Sequence, residues 1–285
     1  MTLADLIKPS KKLPEPVLAK IQARSARVIS VWGSAASGKS TVALNLAFEF
    51  ASMDQKVLLV DADSYRPSLA AHLGFTEPGP GITAVLRLAR AERLVQKELL
   101  RLTEEIEFGS KSLRVLTGLN SPTRWRELDA EALGQSLQFC RNEFDVIVLD
   151  LAGELEMGLV SANSDVARNT ATRALIACSD IALGVFSADS VGINRFLWDC
   201  RDADFAFWPI ANRVRSSTLG KNAERQLRDT MHRLLRAELR ACIPEDAAAT
   251  DLSLLKAEPL CMGAKSSKAR ESIRLLALDL LDAQL

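Results

Sequence analysis

Short apolar runs alternate along the chain with longer segments whose apolar residues recur every three or four positions. The runs have the composition of strands buried on both faces of a sheet. They are RVISVW (27–32), KVLLVD (56–61), LRVLTG (113–118), FDVIVLD (144–150), DIALGVF (180–186) and FAFWPIANRV (205–214). Segments with helical spacing separate them, at 82–102, 128–140, 169–177, 191–199 and 221–239. This alternation predicts right-handed βαβ units, and so a doubly wound α/β fold with a mostly parallel sheet and helices on both faces.

The ends of the chain bear on domain organisation and location. Residues 1–27 are polar and proline-containing, which predicts a loosely held N-terminal arm. We expect one domain over 28–285, because no internal repeat or low-complexity linker divides it. The first residues lack the apolar segment of a signal peptide, and no apolar run approaches the ~20 residues that cross a bilayer. We therefore expect a cytoplasmic protein.

Composition narrows the class further. Of 285 residues, 48% are hydrophobic and 5% aromatic, which suits helices packed on a sheet better than an all-β sandwich. The 36 basic and 36 acidic residues balance, so bulk charge does not indicate a nucleic-acid or membrane partner. Five scattered cysteines without a C-x-x-C pair indicate buried thiols in a reducing compartment rather than a metal site.

The segment GSAASGKST (33–41) has the spacing of a phosphate-binding loop, G-x-x-x-x-G-K-[ST]. It follows a β-branched strand and opens an amphipathic helix, which is the context such a loop requires. Glycines let backbone N–H groups surround phosphate oxygens, and the helix N-terminus adds positive potential. Lys39 is expected to reach the β- and γ-phosphates and Ser40 to hold Mg²⁺. The other residues of the loop predicted to bind nucleotide are Gly33, Ser34, Ser37, Gly38 and Thr41.

The segment VLLVDADSYRPS (57–68) resembles two families of phosphate-loop proteins. Signal-recognition-particle GTPases have a similar Asp-Tyr-Arg-Pro stretch, whereas MinD/ParA-type ATPases have D-x-D, here Asp61 and Asp63. A GTPase needs a carboxylate that reads the guanine amino group. The matching segment, ANRVRS, has Arg215 at that position. We therefore expect ATP or ADP rather than a guanine nucleotide.

The remainder of 28–285 resembles the MinD/ParA ATPases. Asp150 ends an apolar strand as a Walker B aspartate does, and the segments at 187–195, 211–214, 243–246 and 254–260 follow in the family's order. The resemblance implies a slow Mg²⁺-dependent ATPase that forms a nucleotide-dependent homodimer.

The resemblance also implies roles for individual residues. Lys39, Asp63 and Asp61 would be catalytic, with Asp63 orienting the attacking water. Asp150 would hold Mg²⁺ through water, and Asp61 would support the metal from the second shell. Further nucleotide-binding residues implied in this way are Gly153, Asn212, Arg213, Pro244, Glu245 and Asp246.

The chain departs from the family signature, K-G-G-x-G-K-[ST], at three positions. Ser34 occupies the place of the first lysine, and Ala35 and Ala36 occupy those of the glycines. In the family, that lysine crosses the dimer and neutralises phosphate charge in the partner's site, which serine cannot do. An arginine such as Arg66 or Arg195 could supply the charge, and nothing in the sequence selects one.

The segment VLTGLNSPTRWREL (115–128) resembles a narrower group, the actinobacterial CpaE/TadZ-like proteins. These are associated with Flp pilus and secretion assembly, which implies pilus or secretion machinery as a partner. Other functions remain open: a non-hydrolysing nucleotide-binding scaffold, suggested by Ser34, and a small-molecule kinase, which fits the phosphate loop alone.

The C-terminal third contains two helical segments with alternative interpretations. The predicted helix at 221–240 gathers basic residues on one face, as a DNA-partition ATPase would, although a solvated face with pairs such as Glu224–Arg228 is simpler. Its basic residues are Lys221, Arg225, Arg228, Arg233, Arg236 and Arg240, interrupted by Asp229. The last segment, 266–285, is amphipathic, but Asp279 and Asp282 favour packing on the sheet over lipid binding. His72 and His232 are assigned no chemistry.

Overall fold

The computed structural model describes residues 26–156 and 165–283. Within these ranges the strands are β1 (Arg27–Trp32), β2 (Val57–Ala62), β3 (Glu104–Phe108), β4 (Lys111–Leu116), β5 (Val146–Leu151), β6 (Ile181–Ser187), β7 (Trp208–Val214) and β8 (Ala241–Pro244). They form one eight-stranded sheet in the order β3-β4-β2-β5-β1-β6-β7-β8. Neighbouring strands are parallel except β3 and β4, which are antiparallel. The predicted doubly wound α/β fold is confirmed.

Helices connect these strands. In chain order they are α1 (Lys39–Ser52), α2 (Leu69–His72), α3 (Gly81–Arg90), α4 (Gln96–Leu102), α5 (Ala130–Arg141), α6 (Asp165–Ala177), α7 (Ser190–Asp199), α8 (Ser216–Leu219), α9 (Ala223–Leu235), α10 (Ala247–Lys256), α11 (Leu260–Gly263) and α12 (Lys268–Asp282). Short 3₁₀ turns lie at Pro122–Glu127 and Cys200–Asp202.

Apolar layers cover both faces of the sheet. On one face, α3, α5, α6, α7 and α9 enclose a layer that includes Trp32 and Phe196, whose rings stack at 5.5 Å. On the other face, α1 and α12 enclose a layer that includes Phe48 and Leu276. The central strands β1, β2, β5 and β6 are buried on both sides and are therefore apolar at nearly every position, which explains the short continuous runs in the sequence.

The strand order reverses around β1, which lies between β5 and β6. The carboxyl ends of β1, β2 and β5 therefore lie side by side at one edge of the sheet. In open parallel sheets, ligands bind in the crevice at such a reversal. The phosphate loop follows β1, Asp61 lies near the end of β2, and Asp150 near the end of β5, so the sheet brings all three to this edge.

The predicted helix over 82–102 is wrong in one respect, because it is interrupted between α3 and α4. Glu92 has a φ of +54°, in the left-handed region. The N–H of Arg93 donates to Leu88 O at 2.9 Å and that of Glu92 to Ala89 O at 2.9 Å. This is the hydrogen-bond pattern of a helix that ends in a left-handed cap. The composition of the segment does not predict this helix end.

Two edge strands are absent from the sequence prediction. The outer edge strand β3 alternates glutamate with apolar residues, and its Glu104, Glu105 and Glu107 are exposed. At the other edge, β8 includes Ile243 and Pro244, which the sequence assigned to a loop. Both strands are short, so their apolar signal is weak.

The predictions for the two C-terminal helical segments have different outcomes in the structure. The predicted helix at 221–239 is shorter, since α9 ends before Arg236, which has a φ of +55°. The last segment forms α12, whose Ile273, Leu276 and Leu280 are buried against α1 and β8, so its predicted packing on the sheet is confirmed. Among the described helices, none combines the length and apolar character needed to cross a bilayer.

The predicted N-terminal arm, 1–27, lies outside the described residues except for Ala26 and Arg27. Arg27 begins β1, and its guanidinium donates to Ala283 O at 2.9 Å and to Leu280 O. The start of the sheet is thus tied to the end of α12.

Candidate functional site

The phosphate loop is a tight turn between β1 and α1 in which two glycines are required by space. A Cβ on Gly33 would lie 2.0 Å from Val185 O, and one on Gly38 would lie 2.3 Å from the Asn212 amide nitrogen. Both glycines also have positive φ, at 145° and 85°. The loop therefore presents backbone rather than side chains to its surroundings, which suits a phosphate cradle.

Asn212, at the end of β7, holds this loop in place. Its side-chain N–H donates to Ser37 O at 2.8 Å, and its side-chain oxygen accepts the N–H of Arg213 at 2.9 Å. The amide thus connects the far half of the sheet to the phosphate loop. A contact of Asn212 or Arg213 with a nucleotide base stays a prediction.

Lys39 and three aspartates meet where β2 and β5 end. The Lys39 ammonium lies 2.7 Å from a carboxylate oxygen of Asp63, and both side chains are largely buried. The other oxygen of Asp63 accepts the backbone N–H groups of Tyr65 and Arg66, each at 2.8 Å. Burial alone would raise the pKa of Asp63, but Lys39 and these N–H groups hold it below its usual value.

Asp61 and Asp150 are register partners on neighbouring strands, so two buried carboxylates lie side by side. Asp61 accepts the N–H groups of Ser68 and Leu69, at 2.8 and 2.9 Å. Asp150 accepts no backbone N–H among the described residues, and the hydroxyl of Ser40 is the hydrogen-bond donor beside its carboxylate. Burial raises the pKa of both carboxyls; Asp150 raises that of Asp61 further, whereas Lys39 partly opposes the shift at Asp150.

This arrangement fits a magnesium ion that arrives with a nucleotide. Two buried carboxylates that lie side by side favour the approach of a cation. Mg²⁺ in nucleotide sites is bound by one or two protein groups and completed by phosphates and waters. The described residues contain no cluster of three or more His, Cys, Asp or Glu side chains with the geometry to hold a metal ion. Ser40, the second residue of α1, lies on this side of the loop.

Gly153, two residues after β5, packs directly on the phosphate loop. A Cβ there would lie 2.2 Å from Gly33 O. The close approach of the two backbones explains why a glycine occupies this position. An N–H contact from Gly153 to a γ-phosphate stays a prediction.

Ser34 is buried, and its hydroxyl donates to a carboxylate oxygen of Asp199 at the end of α7. Burial raises the pKa of Asp199 to about 6; the Ser34 hydroxyl opposes this shift, and Glu154 adds to it. The position that carries a lysine in the family signature is therefore engaged with the chain's own α7. No sequence pattern indicated a role for Asp199, because its partner Ser34 is far away along the chain.

A cavity of about 270 Å³ adjoins the phosphate loop on the side of β7 and β8. Residues predicted from the sequence to bind nucleotide that line this cavity are Gly38, Thr41, Asn212, Arg213, Pro244, Glu245 and Asp246. His72, to which the sequence assigned no chemistry, also lines it, and burial lowers its pKa.

Asp246 and Glu245, both predicted from the sequence to bind nucleotide, each contact another part of the chain. Asp246 caps α10 by accepting the N–H of Ala249 at 3.2 Å, and Glu245 pairs with Arg215 at 2.6 Å. These contacts shape the wall of the cavity. Contact of either residue with a nucleotide stays a prediction.

An additional cluster, which the sequence analysis missed, anchors the loop after β2 to α6. The Tyr65 hydroxyl donates to the side-chain oxygen of Asn169 at 2.8 Å. The Arg168 guanidinium lies 3.9 Å from the centre of the Tyr65 ring and donates to Ser64 O. Only the Asp-Ser-Tyr-Arg-Pro stretch itself hinted at this cluster. Its contacts connect the segment that carries Asp63 to the helix that follows β5.

The family model for the CobQ/CobB/MinD/ParA nucleotide binding domain matches residues 31–256, which include the phosphate loop, all three aspartates and most of the cavity wall. The chain belongs to this family. No curated protein sequence matches the chain at a significant level.

Solved structures of MinD and ParA ATPases have the same fold as this CobQ/CobB/MinD/ParA family member. A ParA family ATPase from Chlorobium tepidum TLS superposes with a TM-score of 0.70 at 18% identity, covering 89% of this chain and 99% of its own. The cell division ATPase MinD of Pyrococcus furiosus gives 0.66 at 21% identity, covering 90% and 98%. MinD of Pyrococcus horikoshii OT3, solved with Mg-ADP, gives 0.66 at 21% identity, covering 91% and 100%.

Proposed function

We propose that the chain binds Mg·ATP across the phosphate loop and the adjoining cavity, and that it hydrolyses ATP slowly. The observation that carries this proposal is the buried Lys39–Asp63 ion pair beside the buried carboxylate of Asp150, which lies next to the Ser40 hydroxyl. One group is suited to a terminal phosphate, one to positioning water and one to a metal ion, and they lie together at the carboxyl edge of the sheet.

The proposed roles divide the site into a phosphate side and a base side. Backbone N–H groups of the loop, with Lys39, surround the phosphates, while Ser40 coordinates Mg²⁺, which Asp150 holds through water. Asp61 supports the metal from the second shell, and Gly153 offers its N–H to the γ-phosphate. The other nucleotide-binding residues are Gly33, Ser34, Ser37, Gly38 and Thr41 on the phosphate side and Asn212, Arg213, Pro244, Glu245 and Asp246 on the base side.

The Lys39–Asp63 contact suggests how binding and catalysis are coupled. A triphosphate that attracts the Lys39 ammonium draws it away from Asp63. The freed carboxylate then accepts a hydrogen bond from the attacking water and orients it toward the γ-phosphorus. Catalysis of this kind consists of positioning and charge stabilisation, with Mg²⁺ neutralising phosphate charge.

We further propose that nucleotide state controls self-association into a homodimer or partner binding, in the cytoplasm. The segment 115–128, which resembles CpaE/TadZ-like proteins, supports pilus or secretion machinery as the partner. This segment contains the 3₁₀ turn Pro122–Glu127, and Arg168 donates to Pro122 O at 3.2 Å while it contacts the loop that carries Asp63. A change at the phosphates could reach this turn through Arg168. We also propose that residues 28–285 form a single domain.

The charges on and around α9 give little support to the alternative function, a role in DNA partition. Three basic residues of the predicted face form ion pairs with carboxylates: Arg225 with Asp229, Arg228 with Glu224 and Arg240 with Asp279. The expected Glu224–Arg228 pair is thus confirmed. Lys221, Arg236 and Arg240 lie outside α9, so the basic face predicted over 221–240 is not formed by a single helix.

Steady-state ATP hydrolysis with Mg²⁺ tests the proposal, with Lys39→Ala as the comparison and light scattering in ADP and in a non-hydrolysable ATP analogue. We expect slow, Lys39-dependent turnover and a larger mass with the ATP analogue. Binding without turnover and with one constant mass would identify a nucleotide-binding scaffold. Absence of nucleotide binding would reject the proposal altogether.

A further inference from the structure

The phosphate site has too little positive charge for the ligand proposed for it. One ammonium, that of Lys39, faces the carboxylates of Asp61, Asp63 and Asp150. A bound Mg·ATP still carries net negative charge, so the loaded site has an excess of negative charge in a largely buried setting. Electrostatic stabilisation of this kind of ligand normally requires a further cation at the terminal phosphate.

Several arginines near the site already have partners. Arg168 donates to Ser64 O and stacks on Tyr65, and Arg215 pairs with Glu245. Arg66 differs from these: it is exposed, and its guanidinium forms no ion pair or hydrogen bond with another described residue. It is therefore available for a ligand without breaking an existing contact.

Arg66 is also in the right place. Its backbone N–H donates to one oxygen of Asp63 at 2.8 Å, and the other oxygen of the same carboxylate contacts the Lys39 ammonium at 2.7 Å. One carboxylate thus separates the backbone of Arg66 from the lysine that marks the phosphate position. An extended arginine side chain is long enough to span that distance.

The loop that carries Arg66 is anchored on both sides. Tyr65 is bonded to Asn169, and Pro67 follows directly, which restricts the backbone of Arg66. Arg195, the other arginine considered from the sequence, lies on the exposed face of α7. No contact within the described part of the chain connects it to Lys39 or Asp63.

We infer that Arg66 is a catalytic residue whose guanidinium binds the terminal phosphate of ATP and supplies the charge that Ser34 does not. A guanidinium presents a planar fork of N–H donors that matches two phosphate oxygens. The inference rests on the proposed function. It predicts discrimination between nucleotides, because ADP has no phosphate at this position.

Titration calorimetry of the full chain with Mg²⁺ and either ADP or the ATP analogue AMP-PNP tests this inference. We expect Arg66→Ala to weaken AMP-PNP binding by about tenfold to a hundredfold and ADP binding by less than about twofold. Arg66→Lys should recover part of the loss, because it restores charge without the fork. Arg93→Ala, which removes an exposed arginine between α3 and α4, is the matched control and should bind both ligands like the wild type.

The outcomes separate the inference from the proposed function. Equal effects of Arg66→Ala on both nucleotides, or no effect on either, would overturn the role of Arg66 while leaving ATP binding intact. Selective loss of AMP-PNP binding in Arg195→Ala instead would assign the role to Arg195. If the wild type binds neither nucleotide, both proposals fail. Thermal unfolding of each variant verifies that it is folded.

Discussion

The Lys39 ammonium and the Asp63 carboxylate are joined at 2.7 Å, so the lysine of the phosphate loop is held by the chain's own aspartate. Asp150 and Asp63 raise the pKa of Lys39 against the effect of burial, and the lysine is therefore charged. Any phosphate that binds Lys39 competes with Asp63. Affinity and turnover should consequently respond in opposite directions when this aspartate is changed.

Asp63→Asn should bind ATP more tightly and hydrolyse it more slowly. Removing the carboxylate charge frees Lys39 for the ligand, and we expect the Kd for AMP-PNP to fall by about threefold to tenfold. Loss of the group that orients water should lower kcat by about a hundredfold. Calorimetry and single-turnover hydrolysis measure the two quantities. Weaker binding together with unchanged turnover would show that Asp63 has neither role.

Asp150→Asn should stabilise the nucleotide-free protein and abolish its response to Mg²⁺. At pH 8 the substitution removes a buried charge beside Asp61, and we expect the free energy of unfolding to rise by about 1 kcal/mol or more. The extra thermal stabilisation that Mg²⁺ gives in the presence of ADP should disappear. Thermal unfolding with and without ADP, Mg²⁺ and chelator measures both effects. A destabilised variant with an intact Mg²⁺ response would contradict the proposed role.

Asp199 should make the protein less stable as the pH rises through about 6. Burial raises its pKa to about 6, whereas an unfolded aspartate titrates near ~3.9. Between these values the folded state keeps a proton that the unfolded state has released, so stability falls with increasing pH. After allowance for partial exposure, the change is about 1–2 kcal/mol.

Urea unfolding at pH 4.5 and pH 7.5 measures this effect through Asp199→Asn, which cannot ionise. Relative to the wild type, the variant should gain about 1–2 kcal/mol between the two pH values. Asp282→Asn, on α12, controls for the loss of one negative charge. A difference that does not change with pH would show that Ser34 and the surroundings of Asp199 do not shift its titration.

Ala36→Gly should be neutral or stabilising, unlike most alanine-to-glycine changes. Ala36 occupies a position where the family signature has glycine, and its φ is +63°. A left-handed alanine costs about 1–2 kcal/mol, which glycine recovers apart from its larger unfolded-state entropy. We expect a change in the free energy of unfolding between zero and about +1 kcal/mol. Ala84→Gly in α3, where the helix is regular, should instead destabilise by about 1 kcal/mol and serves as the comparison.

The central strands and the phosphate loop could be predicted from the sequence because their signals are local. A strand buried on both faces is apolar throughout, and the loop needs glycines at fixed spacing, as the close approaches of Gly33 and Gly38 show. The sheet order then brings Asp61 and Asp150 together without further information. The glycine spacing is recognisable in the sequence, although Gly33 and Gly38 approach the distant residues Val185 and Asn212 in the fold.

The parts that could not be predicted depend on partners far apart along the chain. Ser34 reads as a missing lysine in the sequence, and only the folded chain reveals Asp199 as its partner. Nucleotide binding by Asn212 stays a prediction, and only the folded chain shows that its amide is also bonded to Ser37 O and to the N–H of Arg213. A short polar side chain can form hydrogen bonds with many chemically similar groups. Tertiary structure decides which of these groups becomes its partner.

The antiparallel strand β3 closes one side of the sheet with a row of exposed glutamates, Glu104, Glu105 and Glu107. An unpaired strand edge is a template for another chain, and like charges along it repel a second copy. At the opposite side, the edge strand β8 has four residues and includes Pro244, which lacks a hydrogen-bond donor. The sheet is therefore protected against growth into a continuous intermolecular sheet, so copies of this chain that accumulate at one place in a cell would be hindered from edge-to-edge aggregation.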